Sequence, residues 1–183
     1  APVQGPVLVL ADWTDVPNAK LLVFSLPCNG RSLPFFVRVV PKNAGEGRMI
    51  QAENEALKML RSICSSRSRI IVVADRGFGN QRWILCVVAQ GFHFVQRLSC
   101  VFNVDTEHHI GALRDLNLRR GKPVRDWGWG TIGDNEAIEG RLVTAYDPEA
   151  KEPWYLVTDL TDIALQEVVD IYRVYLLIDA DGD

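Results

Sequence analysis

Two continuous apolar runs stand out in the pattern of hydrophobic and polar positions along the chain. Residues 7–11, Val-Leu-Val-Leu-Ala, are followed by Asp12, and residues 70–74, Ile-Ile-Val-Val-Ala, are followed by Asp75. Runs this apolar are typical of strands that are buried on both faces of a sheet. The pattern therefore predicts two central strands, each followed by an aspartate.

Two further strands are predicted between these runs. Residues 21–26 and 33–40 are rich in apolar and aromatic side chains, and Asn29-Gly30 between them favours a tight hairpin reversal. Together with the first apolar run they predict a three-stranded meander.

Helical spacing of apolar residues occurs in three segments. These are residues 48–65, residues 81–90 and residues 161–178, where Thr161 is a candidate N-cap. A strand is predicted at residues 92–98, which gives the order βββαβαβ up to that point.

The pattern changes between residues 99 and 152, where short, turn-rich stretches replace the long periodic segments. Candidate strands are residues 140–146 within this stretch and residues 154–158 just after it. We therefore divide the chain into a first part of the core, 1–98, a β-rich insertion, 99–152, and a final part of the core, 153–183.

Composition describes an ordinary globular protein. With 183 residues, of which 48% are hydrophobic and 23% charged, the chain can bury one core and carry one insertion. Its four cysteines are widely spread and lack metal-ligand spacing, so they are interpreted as reduced core thiols. No apolar run approaches the roughly 18 to 20 residues that span a bilayer, and no membrane association is expected. The predicted compartment is the cytoplasm.

The formal net charge of −3 has the wrong sign for a domain that holds DNA by bulk charge. Any nucleic-acid surface must therefore be a local patch. One dense basic cluster has aromatic residues close by, a combination suited to phosphate contact and base stacking. An alternative is a solvated basic loop whose tryptophans fix it to the core. The cluster contains Arg114, Arg119, Arg120, Lys122 and Arg125, followed by Trp127 and Trp129.

Asp12 and Asp75 are the main candidates for chemistry. If their strands are neighbours, the two carboxylates converge at the strand ends, where Mg²⁺ or Mn²⁺ would relieve their repulsion. Asp179 lies on the inward stripe of the last predicted helix and is the candidate for a third metal ligand. The alternatives are turn formers or helix N-caps for the first two and a solvated tail for the third.

The residues around both aspartates resemble motifs of the DDE transposases of the insertion-sequence-four type. Residues 9–15, Val-Leu-Ala-Asp-Trp-Thr-Asp, resemble the first motif of that family, and residues 71–78, with the turn Asp-Arg-Gly-Phe, resemble the second. The resemblance covers nearly the whole chain. It implies that Asp12 and Asp75 are the first two catalytic, metal-binding residues.

The third motif of the family matches in part. Tyr172 fits its tyrosine, whereas Tyr175 stands at its arginine position and Asp179 at its catalytic glutamate. The resemblance implies a catalytic role for Asp179 and DNA contacts by Tyr172 and by Arg173. Trp154, in residues that resemble the strand closing the family's insertion, is the candidate for stacking on a flipped base, with core packing as the alternative. Arg119, Arg120 and Lys122 complete the predicted DNA-binding set.

The resemblance implies an RNase H-like α/β fold, in which a mixed five-stranded sheet of order 3-2-1-4-5 is flanked by helices and interrupted by a β-rich insertion before the last helix. It implies metal-dependent DNA cleavage and strand transfer with two Mg²⁺ or Mn²⁺ ions. The expected partners are transposon ends and target DNA. A dimer of the full-length protein and a nucleoid-associated location in a prokaryote are expected, and the chain is expected to be a fragment.

Two other functions are compatible with the same residues. One is a catalytically inactive transposase remnant that retains only DNA binding, which the departure from the third motif favours. The other is a non-enzymatic interaction domain of the same fold class. Metal affinity that depends on Asp75 would separate the enzyme from the interaction domain.

Overall fold

The structure is a computed structural model of the 183-residue chain. It describes residues 5–65, 68–78, 80–133, 138–148 and 150–179, with the side chains of Ile178 and Asp179 outside the description. Asp181 and Asp183, which lie in the acidic tail, are also outside the described residues.

The described parts of the chain contain ten strands, three α-helices and two short 3₁₀ helices, Arg76–Phe78 and Leu113–Asp115. In chain order the strands and α-helices are β1 (Val7–Val16), β2 (Ala19–Cys28), β3 (Arg31–Pro41), α1 (Glu46–Ile63), β4 (Ile70–Ala74), α2 (Gln81–Ala89), β5 (His93–Leu98), β6 (Asn103–Thr106), β7 (His109–Ala112), β8 (Arg125–Ile132), β9 (Ile138–Ala145), β10 (Trp154–Thr158) and α3 (Leu165–Asp179).

All ten strands belong to one mixed sheet of order β3-β2-β1-β4-β5-β10-β9-β8-β6-β7. β1, β4 and β5 are parallel neighbours, and the other pairs are antiparallel. The predicted order 3-2-1-4-5 of the first five strands is confirmed. The prediction of a five-stranded sheet is wrong, because β10 pairs with β5 and β9 pairs with β10, so that strands of the segment 99–152 extend the same sheet.

The helices cover both faces of this sheet. α1 and α2 pack on one face, where Leu57, Trp83 and Ile84 are buried against residues such as Phe24 and Val72. α3 packs on the other face, and its Val168, Val169 and Tyr172 are buried against residues such as Val73 and Val95. The fold is therefore a mixed α/β structure with a helical layer on each side of the sheet.

Three local predictions are corrected by the structure. β1 does not end at Asp12 but continues to Val16, because its hairpin with β2 outlasts its pairing with β4. α3 begins at Leu165, so Thr161 is not its N-cap. The cysteines are free, as expected, but Cys28 and Cys100 are exposed and are not core thiols.

Candidate metal and nucleic-acid site

The two predicted aspartates lie next to each other. β1 and β4 are parallel, and their register pairs Ala11 with Ala74. Asp12 follows Ala11 and Asp75 follows Ala74, so the two aspartates are neighbours. Because side chains alternate along a strand, both carboxylates lie on the face that α3 covers. The carboxyl edge is our name for the end of the sheet at which the parallel strands β4 and β5 terminate, at Ala74 and Leu98.

The turn after β4 holds the Asp75 side chain in place. The backbone N–H of Gly77 donates to Oδ1 of Asp75 at 2.7 Å, and a Cβ at residue 77 would lie 2.9 Å from the same oxygen. Burial raises the pKa of the Asp75 carboxyl, the Gly77 hydrogen bond lowers it, and the charge of Asp12 raises it again, with a net increase. The direction follows from two carboxylates sharing a partly buried place.

Asp12 is oriented by two hydroxyl groups. Thr14 Oγ1 donates to its Oδ2 at 2.6 Å, and the phenolic OH of Tyr175 donates to its Oδ1 at 3.1 Å. The first contact comes from the same strand and the second from α3. The C-terminal part of α3 therefore lies against Asp12.

Asp179, the third predicted ligand, is the last residue of α3 and lies four residues after Tyr175. Its side chain is outside the described residues. Among the side chains that are described, no group of three or more Asp, Glu, His or Cys residues is arranged to hold an ion. The described part of the site thus contributes Asp12 and Asp75, two hard oxygen donors of the kind that Mg²⁺ and Mn²⁺ prefer.

Three charged residues next to Asp75 were not predicted from the sequence. Arg97 follows Gln96, the residue of β5 that pairs with Ala74. Its Nη2 donates to Glu152 at 2.8 Å. Arg76 donates to the same Glu152 oxygen through Nη1, also at 2.8 Å. The arginine charges lower the pKa of Asp75, though less than burial raises it. A basic residue at the end of a parallel strand was the available signal for Arg97.

The predicted basic residues line another part of the carboxyl edge. Arg119 and Lys122 border a groove of about 150 Å³ between the loop before β8 and the end of β9. Arg120 lies 5.2 Å over the ring of Tyr146, which follows β9. All three basic side chains are exposed.

Trp127 and Trp129 lie in β8 and not in the basic loop. Trp127 is buried, and its Nε1 donates to Thr144 Oγ1 at 2.9 Å. Arg125 stacks 3.7 Å from the centroid of the Trp127 ring. Trp127 therefore anchors the basic segment to the sheet, as in the alternative interpretation of the cluster.

Of the DNA contacts that the resemblance implies, two are buried in this structure. Trp154 is 7% exposed and meets Tyr172 edge to face at 5.4 Å, and Tyr172 is fully buried. In this conformation neither ring has a face open to a base. Arg173 is 41% exposed and pairs with Asp147 at 3.1 Å and Asp170 at 3.0 Å, so it is the accessible member of the three.

Comparisons with known proteins do not identify a family. No protein-family model matches the chain, and no curated protein matches it. A crystal structure of Aa-Ago with externally bound siRNA is similar over 96% of this chain, at 11% sequence identity and a TM-score of 0.45. The chain spans about a quarter of the length of that structure, since it covers 24% of it. A similarity of this size identifies neither fold nor function.

Within the described ranges, none of the helices combines the length and the apolar character needed to cross a bilayer.

Proposed function

We propose that the chain is the catalytic region of a DDE-type DNA transposase and performs metal-dependent DNA cleavage and strand transfer. The observation that carries the proposal is the register of β1 and β4, which brings Asp12 and Asp75 side by side on one face of the sheet. The order of the first five strands supports an RNase H-like core, with the remaining strands as an extension of it.

The chemistry of the site fits divalent metal ions. Two adjacent carboxylates, one of them with a raised pKa, repel each other unless a cation or a proton lies between them. Asp12 and Asp75 would hold the ions, with Asp179 as the proposed third ligand. Two bound Mg²⁺ or Mn²⁺ ions would activate a water or a 3′-hydroxyl and stabilise the leaving oxygen of phosphoryl transfer.

The protein's own residues position these ligands. Thr14 and Tyr175 fix the Asp12 carboxylate through one oxygen each, and Gly77 fixes Asp75 through its backbone N–H. Held in this way, the carboxylates need little rearrangement when an ion binds. A first strand would be nicked by water, and the freed 3′-hydroxyl would then attack the opposite strand or the target.

DNA would lie along the carboxyl edge. From β4 to β8 there are four strand spacings of about 4.8 Å, roughly 19 Å in total. A DNA strand presents one phosphate per 3.4 Å, so about five phosphates could span from Asp75 to the basic residues before β8. Arg119, Arg120 and Lys122 lie at the far end of this path, and Arg173 lies on α3. Transposon ends and target DNA are the proposed partners, and a dimer is proposed for the full-length protein.

A plasmid-nicking assay tests the proposal. We expect the chain to nick supercoiled DNA with Mn²⁺, and Asp12→Asn or Asp75→Asn to lower the rate on the order of a hundredfold or more, because each removes a metal ligand. Asp15→Asn is the matched control, since Asp15 is in the same strand and its ion pair among the described residues, with Lys42 at 3.8 Å, is exposed. Its rate should stay within about twofold of wild type.

Two further measurements separate the alternatives. Calorimetry with Mn²⁺ should show binding that Asp75→Asn removes, whereas an interaction domain would bind no metal. Asp179→Glu should increase nicking if the shorter Asp179 side chain limits the rate, because a displaced ligand misplaces the ion. DNA binding without metal affinity or nicking in any variant would identify an inactive remnant and overturn the proposal.

A further inference from the structure

Arg97 is an unusually enclosed cation beside the proposed metal site. Its side chain is 12% exposed, and among the described residues it forms an ion pair with Glu152. The Nε of Arg97 is buried and has no hydrogen-bond partner among the described residues. Because a guanidinium presents its donors as a planar fork, part of its binding capacity is unused in this arrangement.

Glu152 meets two arginines with a single oxygen atom. Its Oε1 accepts from Arg76 Nη1 and from Arg97 Nη2, both at 2.8 Å. Because the two guanidinium groups share this oxygen, each arginine forms a single hydrogen bond with Glu152. A phosphate would offer several oxygens, and a fork-to-fork contact of this kind is stronger than a single one.

The two partners differ in how firmly the fold holds them. Arg97 is part of β5, which is paired on both sides, by β4 and β10. Glu152 is 48% exposed and lies in the irregular stretch before β10. Moving Glu152 away breaks no strand pairing, because the residue lies outside the strands.

Arg97 also lies in the right place for a substrate phosphate. Val73 and Val95 are buried on the α3 face, and two residues further along each chain are Asp75 and Arg97. Strand alternation therefore places the Asp75 carboxylate and the guanidinium on the same face of adjacent chains. A phosphate bound by Arg97 would lie beside the group that is proposed to hold the metal.

We propose that Arg76 and Arg97 form a binding site for a DNA backbone phosphate next to Asp75, and that Glu152 occupies this site until the phosphate displaces its carboxylate. The inference rests on the proposed function, which it extends by naming the phosphate site of the same edge. It makes Glu152 an internal competitor of the substrate.

Binding of a fluorescein-labelled DNA duplex, measured by anisotropy in EDTA, tests the proposal with the full chain. Glu152→Gln removes the competing charge and should tighten binding about fivefold or more. The dependence of log K on log salt should become steeper by about one, because no displaced carboxylate then offsets the phosphate charge that the arginines neutralise. Because EDTA removes the metal, the result does not depend on cleavage.

Asp162→Asn is the matched control. It removes the same charge, but from a carboxylate that binds Arg69 through two hydrogen bonds of 2.6 and 2.5 Å. Arg69 directly precedes β4, so this pair lies at the opposite edge of the sheet. We expect this variant to change the DNA affinity less than twofold. Equal tightening by both variants would show a bulk charge effect and overturn the proposal, as would no change in either.

A double variant tests the role of Arg97. Arg97→Lys keeps the positive charge but removes the planar fork, and combined with Glu152→Gln it should abolish most of the gain in affinity. Circular dichroism would establish that both variants are folded. A double variant that is folded and retains the full gain would contradict the assignment to Arg97.

Inorganic phosphate distinguishes the source of the ligand. If the site served a free phosphate, millimolar phosphate at constant ionic strength would raise the Tm of wild type. Glu152→Gln would then leave the DNA affinity unchanged, and this pair of results would overturn the proposal. Tighter DNA binding by Glu152→Gln without Mn²⁺-dependent nicking would instead overturn the proposed function and leave the phosphate site standing.

Discussion

Asp75 is more useful to the proposed chemistry than to the stability of the fold. Burial and the charge of Asp12 both raise the pKa of its carboxyl, so its ionised form is less favourable in the folded chain than in the unfolded one. The folded state therefore holds the proton more tightly. Groups that destabilise a fold in this way are frequent at functional sites.

Asp75→Asn should consequently stabilise the protein at neutral pH. The amide can still accept from Gly77 but carries no charge, and we expect a gain on the order of 1 kcal/mol, or about 2 to 4 °C in Tm. The pKa of Asp75 is raised in the folded state, so wild type loses stability as pH rises from the ordinary aspartate value of about 3.9 through the folded pKa. The variant lacks this loss, and thermal melts between pH 3 and 8 would measure the difference.

Asp126 provides a control of opposite sign. Its hydrogen bonds with Arg141, the shortest of 2.6 Å, lower the pKa of the Asp126 carboxyl. The ion pair therefore stabilises the fold above the ordinary aspartate pKa and is lost as pH falls through the lowered one. Asp126→Asn should lower the Tm at pH 7. A Tm for Asp75→Asn below that of wild type at pH 7 would contradict the argument for Asp75.

At the scale of elements, the position of α3 decides whether the site is complete. An aromatic cluster joins the helix to the sheet: Tyr172 meets Trp154 at 5.4 Å and stacks with Tyr175 at 5.8 Å. Tyr175 in turn donates to Asp12. Packing of one helical turn thus determines where the end of α3 lies relative to the two aspartates.

Tyr172→Ala should therefore both destabilise the protein and weaken Mn²⁺ binding. Removing a fully buried aromatic ring costs about 3 to 5 kcal/mol, because the cavity does not close completely. Leu177→Ala, at a residue that is 68% exposed on the same helix, should change stability by less than about 0.5 kcal/mol. Urea unfolding and calorimetry with Mn²⁺ would measure the two effects. Unchanged Mn²⁺ affinity in a folded Tyr172→Ala protein would show that α3 does not position the site.

At the scale of the whole molecule, the segment 99–152 shares its hydrophobic core with the first part of the chain. One cluster of buried residues contains Trp83 of α2 together with Trp127, Ile132 and Ile138 of β8 and β9. The sheet is also continuous across β5, β10 and β9. The division of the chain at residues 98 and 152 remains an interpretation of the sequence.

The shared core predicts one cooperative unfolding transition. Tryptophan fluorescence, which reports Trp83 and Trp127 among others, and far-UV circular dichroism should give the same urea midpoint within error. Trp127→Phe serves as a control, because it removes a signal from β8 while keeping a ring in place. Two transitions with different midpoints would contradict this prediction. If one of them were missing from the fluorescence of Trp127→Phe, β6 to β9 would unfold independently of the rest.

Local patterns were sufficient for the central part of the fold. The apolar runs at residues 7–11 and 70–74 predict the strands that the structure contains, and the helix expected at 48–65 occurs at Glu46–Ile63. Strand and helix periodicity are properties of neighbouring residues, so they can be read without knowing the fold. Asp12 and Asp75 were found in the same way, as charges that directly follow apolar runs.

The remaining features depend on contacts between distant parts of the chain. Glu152 is 76 residues from Arg76 and 55 from Arg97, and no local pattern relates them. Likewise, only packing against Tyr172 makes Trp154 a core residue. The sequence by itself determined the central strands and the two aspartates, because short-range periodicity specifies them. The tertiary structure alone decided the ten-stranded sheet and the charges around Asp75, because side-chain partners are chosen by packing and not by spacing.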